Sequence, residues 1–272
     1  MTTTVYITGA ASGLGLEIAR RYAAQGANLA LFDLMVTDSA VRSVDSVRVN
    51  ESQKICFYQV DVTDNDSVIT NVAVASEEIG FPTLALHCAG VNNALGPFET
   101  LSKDQFERTV QINLFGSRNF AEAVLPCLQE TAKRSSSEPR LVFIASLAGL
   151  LGNFGYAPYC ASKFGVVGFA QTLRIELKPQ GIKVQVICPP EVDTPMVHAE
   201  RKMIHPVTLK LKLMAGSLPL ERAVDGMMRG MQRRGFYIIP GALAKITFFL
   251  DRILPDACSR MLVDYIVARA LK

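Results

Sequence analysis

The sequence predicts a doubly wound α/β domain built on a parallel sheet of seven strands, with a helical extension at the C-terminus. Three observations carry that expectation. Seven short apolar runs alternate with longer segments of helical periodicity, the pattern of repeated βαβ units. The runs are apolar at odd and even positions alike, as strands covered on both faces must be. The 272 residues contain no internal repeat and no linker, which suits one domain over 1–272 with a sizeable core.

In chain order the strands are TVYIT (4–8), NLALFD (28–33), KICFYQV (54–60), TLALHC (83–88), RLVFIAS (140–146), KVQVIC (183–188) and FYIIP (236–240). Helices are expected to start near Leu14, Asp64, Ser102, Ala157 and Leu220. Asp64 is placed to cap its helix through Ser67, and Ser102 opens SKDQFERT with acids in the first turn. Pro179 and Gly181 stop the helix that carries RIEL. TAKRSSSEPR (131–140) reads as a polar surface loop, and 36–53 is too poor in periodicity for any assignment.

Composition narrows the function. No stretch reaches the roughly 18 uninterrupted apolar residues of a membrane span; the longest candidate, FYIIPGALAKITFFLDRIL, is broken by Pro240, Gly241, Lys245, Asp251 and Arg252. The N-terminus lacks a basic segment followed by an apolar one, so no secretory leader is expected. Six scattered cysteines (Cys56, Cys88, Cys127, Cys160, Cys188, Cys258) form no metal-ligand spacing and read as buried thiols of a cytoplasmic protein, with no metal. Residues 197–272 carry 13 basic against 6 acidic side chains, which favours an anionic surface. No nucleic-acid motif accompanies that charge, and nucleic acid is not an expected partner.

Four constellations carry chemistry. TGAASGLG (8–15), with Gly9, Gly13 and Gly15, follows a strand and opens a helix. Glycines there let the backbone approach a pyrophosphate while the helix N-terminus offers N–H donors, from Ser12 and Leu14 onward. Asp33 closes the second strand, where a carboxylate can accept from ribose hydroxyls. It would repel a 2′-phosphate, and no Arg or Lys follows it directly, so NAD(H) is favoured over NADP(H). Tyr159 and Lys163 stand one helical turn apart, an ammonium placed to favour the phenolate. Ser146 ends a strand 13 residues earlier, at the carboxyl edge where open α/β sheets bind ligands. Each signal alone is weak: a glycine turn can be a plain loop, Y-x-x-x-K a chance pair, Ser146 a turn residue.

Taken together, TGAASGLG, DVT (61–63), HCAG (87–90), the Asn113 helix and Ser146 with Tyr159-x-x-x-Lys163 resemble the short-chain dehydrogenase/reductase family, over residues 4 to about 195. The resemblance implies a Rossmann fold and hydride transfer between a nicotinamide and a secondary alcohol/ketone pair. By similarity Tyr159 is the acid/base, Lys163 binds the nicotinamide ribose and lowers the tyrosine pKa, Ser146 orients the carbonyl, and Asn113 holds a relay water. Asp61 and Val62 contact the adenine, Ala89 and Gly90 line the cofactor, and Val192 and Thr194 reach the carboxamide. Two departures stand out. HCAG replaces the usual N-N-A-G, with His87 read as a strand residue, and Pro189-Pro190-Glu191 resembles the branch of 3-ketodihydrosphingosine reductases. No role for Glu191 follows from the sequence.

The segment 196–220 falls where the family places a substrate lid, with His198 and His205 read as solvated, and its Met-rich composition suits an adaptable apolar pocket. Residues 241–272 read as two amphipathic helices, with Leu243, Ile246, Phe249, Leu250 and Ile253 at helical spacing. That stripe suits ordinary packing or a homodimer contact, with a helix lying in a membrane interface as the alternative through 242–272. The expected substrate is apolar and lipid-like, a 3-oxo sphingoid or other long-chain compound. Steroid or retinoid chemistry and a non-catalytic NAD(H)-binding scaffold at a membrane are the rivals.

Overall fold

Alternate residues of each apolar run are buried on opposite sides of one sheet. In the first strand Val5 and Ile7 join Leu29, Leu31 and Leu86 in one core, while Tyr6 joins Phe32, Tyr58, Phe120 and Phe143 in the other. Burying each such side chain contributes roughly 1.5–3 kcal/mol, so neither face can be left in water.

The structure, a computed structural model, describes residues 3–134 and 138–271, without the side chains of 256–259 and 262. The first half runs β1 (Thr4–Thr8), α1 (Gly13–Ala23), β2 (Asn28–Asp33), α2 (Asp38–Asp45), β3 (Ile55–Gln59), α3 (Asn65–Glu78), β4 (Leu84–His87), α4 (Lys103–Val110) and α5 (Gly116–Arg134). β5 (Arg140–Ile144), α6 (Ala157–Leu177) and β6 (Lys183–Ile187) follow. The remainder is β7 (Glu191–Val192), α7 (Pro195–Glu200), α8 (Pro206–Ala215), β8 (Ser217–Leu218), α9 (Leu220–Met231), β9 (Tyr237–Ile238), α10 (Ala242–Ile253) and α11 (Asp256–Ala270). Seven strands pair in parallel in the order β3-β2-β1-β4-β5-β6-β9, and β7 with β8 forms a separate two-stranded ribbon. The order reverses between β1 and β4, so the crevice for a ligand opens at their carboxyl ends.

Local chemistry explains the helix starts. The Asp64 carboxylate accepts from Ser67 N at 3.0 Å, and Ser102 forms a reciprocal capping box with Gln105. Two expectations need correction, and one unassigned segment proves helical. The segment 36–53 contains α2, capped by Thr37, whose eight residues bury only Ala40 and Val44. The polar stretch 131–140 is not all loop: α5 continues through Arg134, and 135–137 lie outside the described residues. Among its described side chains α11 shows no clean apolar face, since Met261 and Tyr265 are exposed while Ile266 and Val267 are half-buried.

The five cysteines described are free, and Cys258 falls among the side chains left undescribed. Among the described residues no helix is long and apolar enough to cross a membrane. No cluster of three potential metal ligands occurs among them either.

Candidate active site

The glycine turn is folded so tightly that side chains are excluded. Gly9 has φ +64°, and a Cβ there would lie 2.8 Å from the Ala89 backbone. A Cβ on Gly15 would lie 2.0 Å from the Gly9 carbonyl oxygen, so α1 starts directly against the end of β1. Ser12, exposed and extended, is the cap residue of α1 but makes no side-chain cap, which leaves the first N–H groups facing the cleft. At the end of β2 the Asp33 carboxylate accepts from Ala11 N at 2.8 Å and Met35 N at 3.1 Å. Asp61 accepts from the Thr63 N–H and hydroxyl, and Val62 packs under Gly116.

The HCAG departure is absorbed by Thr8. Its Oγ accepts from Cys88 N at 3.1 Å and Ala89 N at 3.2 Å, so its proton is directed to His87 Nδ1 at 2.9 Å. His87 is therefore neutral. Burial, with Lys163 adding to it, pulls its pKa down to about 3. It is a strand residue packed between Phe120 and Phe143, as expected.

Asn113 lies in a π-helical turn (Gln111–Phe115) between α4 and α5, and its side chain is fully buried. Such turns mark functional sites because they re-aim one residue. Its Oδ1 accepts from Val91 N at 2.8 Å, and its Nδ2 donates to Val91 O and Ser162 Oγ, each at 2.9 Å. The carboxamide thus clamps the chain after β4 to α6, with both N–H groups spent on protein rather than on a relay water.

Ser146 follows β5 and caps a short turn, accepting from Ala148 N at 3.1 Å. Tyr159 is in the first turn of α6, and Lys163 one turn on donates to Ile144 O at 2.9 Å. The Lys163 ammonium stands 5.8 Å from the centre of the Tyr159 ring. Burial pulls the Lys163 pKa down to about 8. Burial raises the Tyr159 pKa, the hydrogen bond with Ser146 opposes that rise, and Glu200 adds to it. Gly90 joins the group, since a Cβ there would lie 3.0 Å from Asn113 Oδ1 and 3.3 Å from Lys163 Nζ.

One cleft of about 1740 Å³ connects these parts. It runs from Gly9, Leu14 and Asp33 past Asp61, Ala89 and Gly90 to Ser146 and Tyr159, and on to Val192 and Thr194. Thr194 caps α7 and faces Gly13 across the cofactor end, its Cβ 3.7 Å from where a Gly13 Cβ would be. The far wall comes from α8, α10 and α11, including Met214, Leu250, Leu254 and Val263. Neither lid histidine lines the cleft. His198 is exposed and 2.5 Å from Asp193, while His205 is half-buried and accepts from Val207 N at the start of α8.

Sequence reading missed a polar cluster on this wall. Glu191 pairs with Arg201 and, at 2.6 Å, with Lys212. Burial pushes the Glu191 pKa up, but the two cations outweigh it and hold the carboxylate below its ordinary range. Glu200 takes bonds from Lys212, Tyr156 and Asn92. Only the unusual Glu191 signalled the cluster in advance.

The model of the short chain dehydrogenase family matches residues 3–205 of this chain. The chain belongs to the short-chain dehydrogenase family. A 3-ketodihydrosphingosine reductase of Bos taurus is 36% identical over 196 residues, covering 70% of this chain and 57% of the relative. The chain thus spans under two thirds of the length of the sphingosine-reductase relatives it matches. Oxidoreductase UcpA of Salmonella typhimurium is 34% identical, covering 84% of both chains. The crystal structure of a short chain dehydrogenase/reductase from Burkholderia phymatum in complex with NAD superposes with a TM-score of 0.77 at 25% identity, covering 92% of this chain and 93% of that one. The family match stops inside the lid, so α8, α10 and α11, which line the cleft of this family member, lie beyond it.

Proposed function

We propose that the chain is an NAD(H)-dependent oxidoreductase that interconverts a ketone and a secondary alcohol on an apolar, long-chain substrate. The observation that carries this reading is the convergence of Ser146, Tyr159 and Lys163 on a cleft with an anion-receiving glycine turn at one end and apolar helices at the other. The residues fit a dinucleotide: Gly9, Ser12, Gly13, Leu14 and Gly15 provide the phosphate turn, Asp33 a ribose acceptor, and Asp61 and Val62 the adenine edge. Ala89, Gly90, Val192 and Thr194 border the nicotinamide end. When bound, the nicotinamide supplies or accepts the hydride.

The chain's own residues do the rest. In the reducing direction Tyr159 gives its proton to the carbonyl oxygen as charge develops there, and the Ser146 hydroxyl holds that oxygen. A phenol raised by burial stays protonated at neutral pH, which suits it as an acid. Lys163, fixed by Ile144 O, presents N–H donors for the ribose and a charge that stabilises Tyr159 after it has lost its proton. Asn113 is a positioning residue. The relatives named 3-ketodihydrosphingosine reductases support a long-chain 3-oxo compound as substrate.

Fluorescence titration with NADH and NADPH, followed by NADH oxidation with long-chain and short ketones, tests the reading. NADH binding about tenfold or more ahead of NADPH, with turnover rising with chain length, is the expected result. Tight NADH binding without turnover of any ketone would favour the scaffold reading instead.

The tail adds a membrane contact to the proposal. Leu243, Ile246, Phe249, Leu250 and Ile253 of α10 are all exposed, Leu250 while also lining the cleft, and the cations Lys245 and Arg252 stand exposed on the same helix. Sedimentation with vesicles containing phosphatidylserine should pull the protein down, and an Ile246→Glu/Phe249→Glu variant should stay in solution. A mass by light scattering of twice the chain, lost in that variant without any vesicle binding, would assign the stripe to a homodimer.

A further inference from the structure

Cations on the first helices of this fold stand beside acids. Arg20 and Arg21 of α1 share Glu17, and in α5 Arg118 meets Glu122 while Lys133 and Arg134 share Glu130. The surface between α9 and α10 breaks this pattern. There a groove of about 460 Å³ is lined by Arg222, Arg229 and Arg233 on one wall and Lys245 on the other. All four are exposed, and among the described residues none of the four is paired with an acid. Asp225, three residues from Arg222 and four from Arg229, is the acid placed to answer them. Its carboxylate is bonded instead to Arg21 of α1, at 2.8 Å. A Cβ on Gly230 would lie 2.3 Å from Ile238 Cγ2, and one on Gly226 3.0 Å from Pro240 Cβ, so α9 rests directly against β9. Arg222 and Arg229 are two turns apart, about 10 Å along the helix, so the row is longer than a single phosphate.

A second observation comes from α10. At 3.6 residues per turn, its side chains follow one another around the helix in a definite order. Lys245 lies in the groove, and Arg252, on the same flank, stands over the Tyr237 ring of β9 at 5.4 Å. Phe249, Ile253 and Ile246 come next, all exposed, and Leu250 and Leu254 follow at the cleft. One surface therefore carries, side by side, an unanswered cationic groove, an apolar stripe and the mouth of the cleft. Two copies meeting on the groove would press like charges together, which argues against a homodimer there.

We propose that the groove between α9 and α10 binds a lipid headgroup bearing phosphomonoesters, while the α10 stripe enters the acyl layer. This rests on the membrane contact proposed above and names the lipid. Guanidinium forks match phosphate oxygens in pairs, and each monoester carries about −1.5 to −2 charges at neutral pH. A serine headgroup fits less well, because its own ammonium would face four cations. Docking in this pose turns the mouth of the cleft toward the membrane.

Sedimentation of the full chain with two kinds of phosphatidylcholine vesicle tests the site. One kind contains phosphatidylinositol 4-phosphate, the other phosphatidylserine, matched in total charge. The phosphomonoester vesicles should bind about tenfold or more tightly. An Arg222→Gln/Arg229→Gln variant should bind both kinds alike and keep its melting temperature, since neither exposed guanidinium is paired in the fold. Equal affinity in the unmodified protein, or a preference that the variant retains, overturns the headgroup site and leaves the membrane contact standing. Absence of binding to either vesicle overturns both. Calorimetry with inositol 1,4-bisphosphate separates the source: binding of that soluble group, with none to vesicles, overturns the lipid assignment in favour of a free phosphate ester. A doubled mass that the arginine variant loses, without vesicle binding, overturns it in favour of a second copy of this chain.

Discussion

Replacing Tyr159 by Phe is expected to lower ketone reduction by roughly 10²- to 10⁴-fold, the range of a lost positioned acid, while NADH affinity changes by no more than a few fold. The substitution removes one hydroxyl and keeps the ring that packs against Tyr156. Lys163 retains its bond to Ile144 O, so the ribose donors stay in place. Ser146 still caps its turn through Ala148 N. What disappears is the proton that must reach the carbonyl oxygen. Single-turnover oxidation of bound NADH would separate this loss from any change in binding. Turnover within about tenfold of the unmodified protein would remove Tyr159 from the acid role, because water alone supplies protons far less well.

Asp33→Asn is the second large change. It keeps the shape of the side chain and one oxygen for Ala11 N or Met35 N, but removes the charge. Hydrogen bonds to a charged acceptor contribute about 1.5–3 kcal/mol each. NADH affinity should therefore fall by about 100-fold if both ribose hydroxyls are engaged. NADPH affinity should rise, because the repulsion of a 2′-phosphate is gone. Since a carboxylate oxygen also satisfies each backbone N–H, a small drop in melting temperature accompanies the change. Titrating both cofactors against both proteins reads the effect. An unmodified protein that prefers NADPH, or a variant with unaltered preference, would leave Asp33 as a turn cap alone.

The parts legible in the sequence were those set by local rules. The seven strands, the glycine turn and the Asp64 and Ser102 caps each depend on residues a few positions apart. α2 was not legible, because it is only eight residues long and just two small side chains, Ala40 and Val44, mark its buried face. The use of the Asn113 carboxamide was hidden for another reason: Val91 and Ser162 are 22 and 49 residues away. The cluster of Asn92, Tyr156, Glu191, Glu200 and Lys212 draws on five separate segments, and only the folded chain brings them together. The apolar stripe of α10 was visible by spacing. In the fold that stripe points outward, while Ala244 and Phe248, one turn apart, pack against the core.

The cleft is assembled from two stretches, one within the family match and one beyond it. Residues matched by the family model build the end proposed for the dinucleotide and the proton, while α8, α10 and α11, past residue 205, line the other end. Mutations in those later helices can reshape what enters without disturbing Ser146, Tyr159 or Lys163.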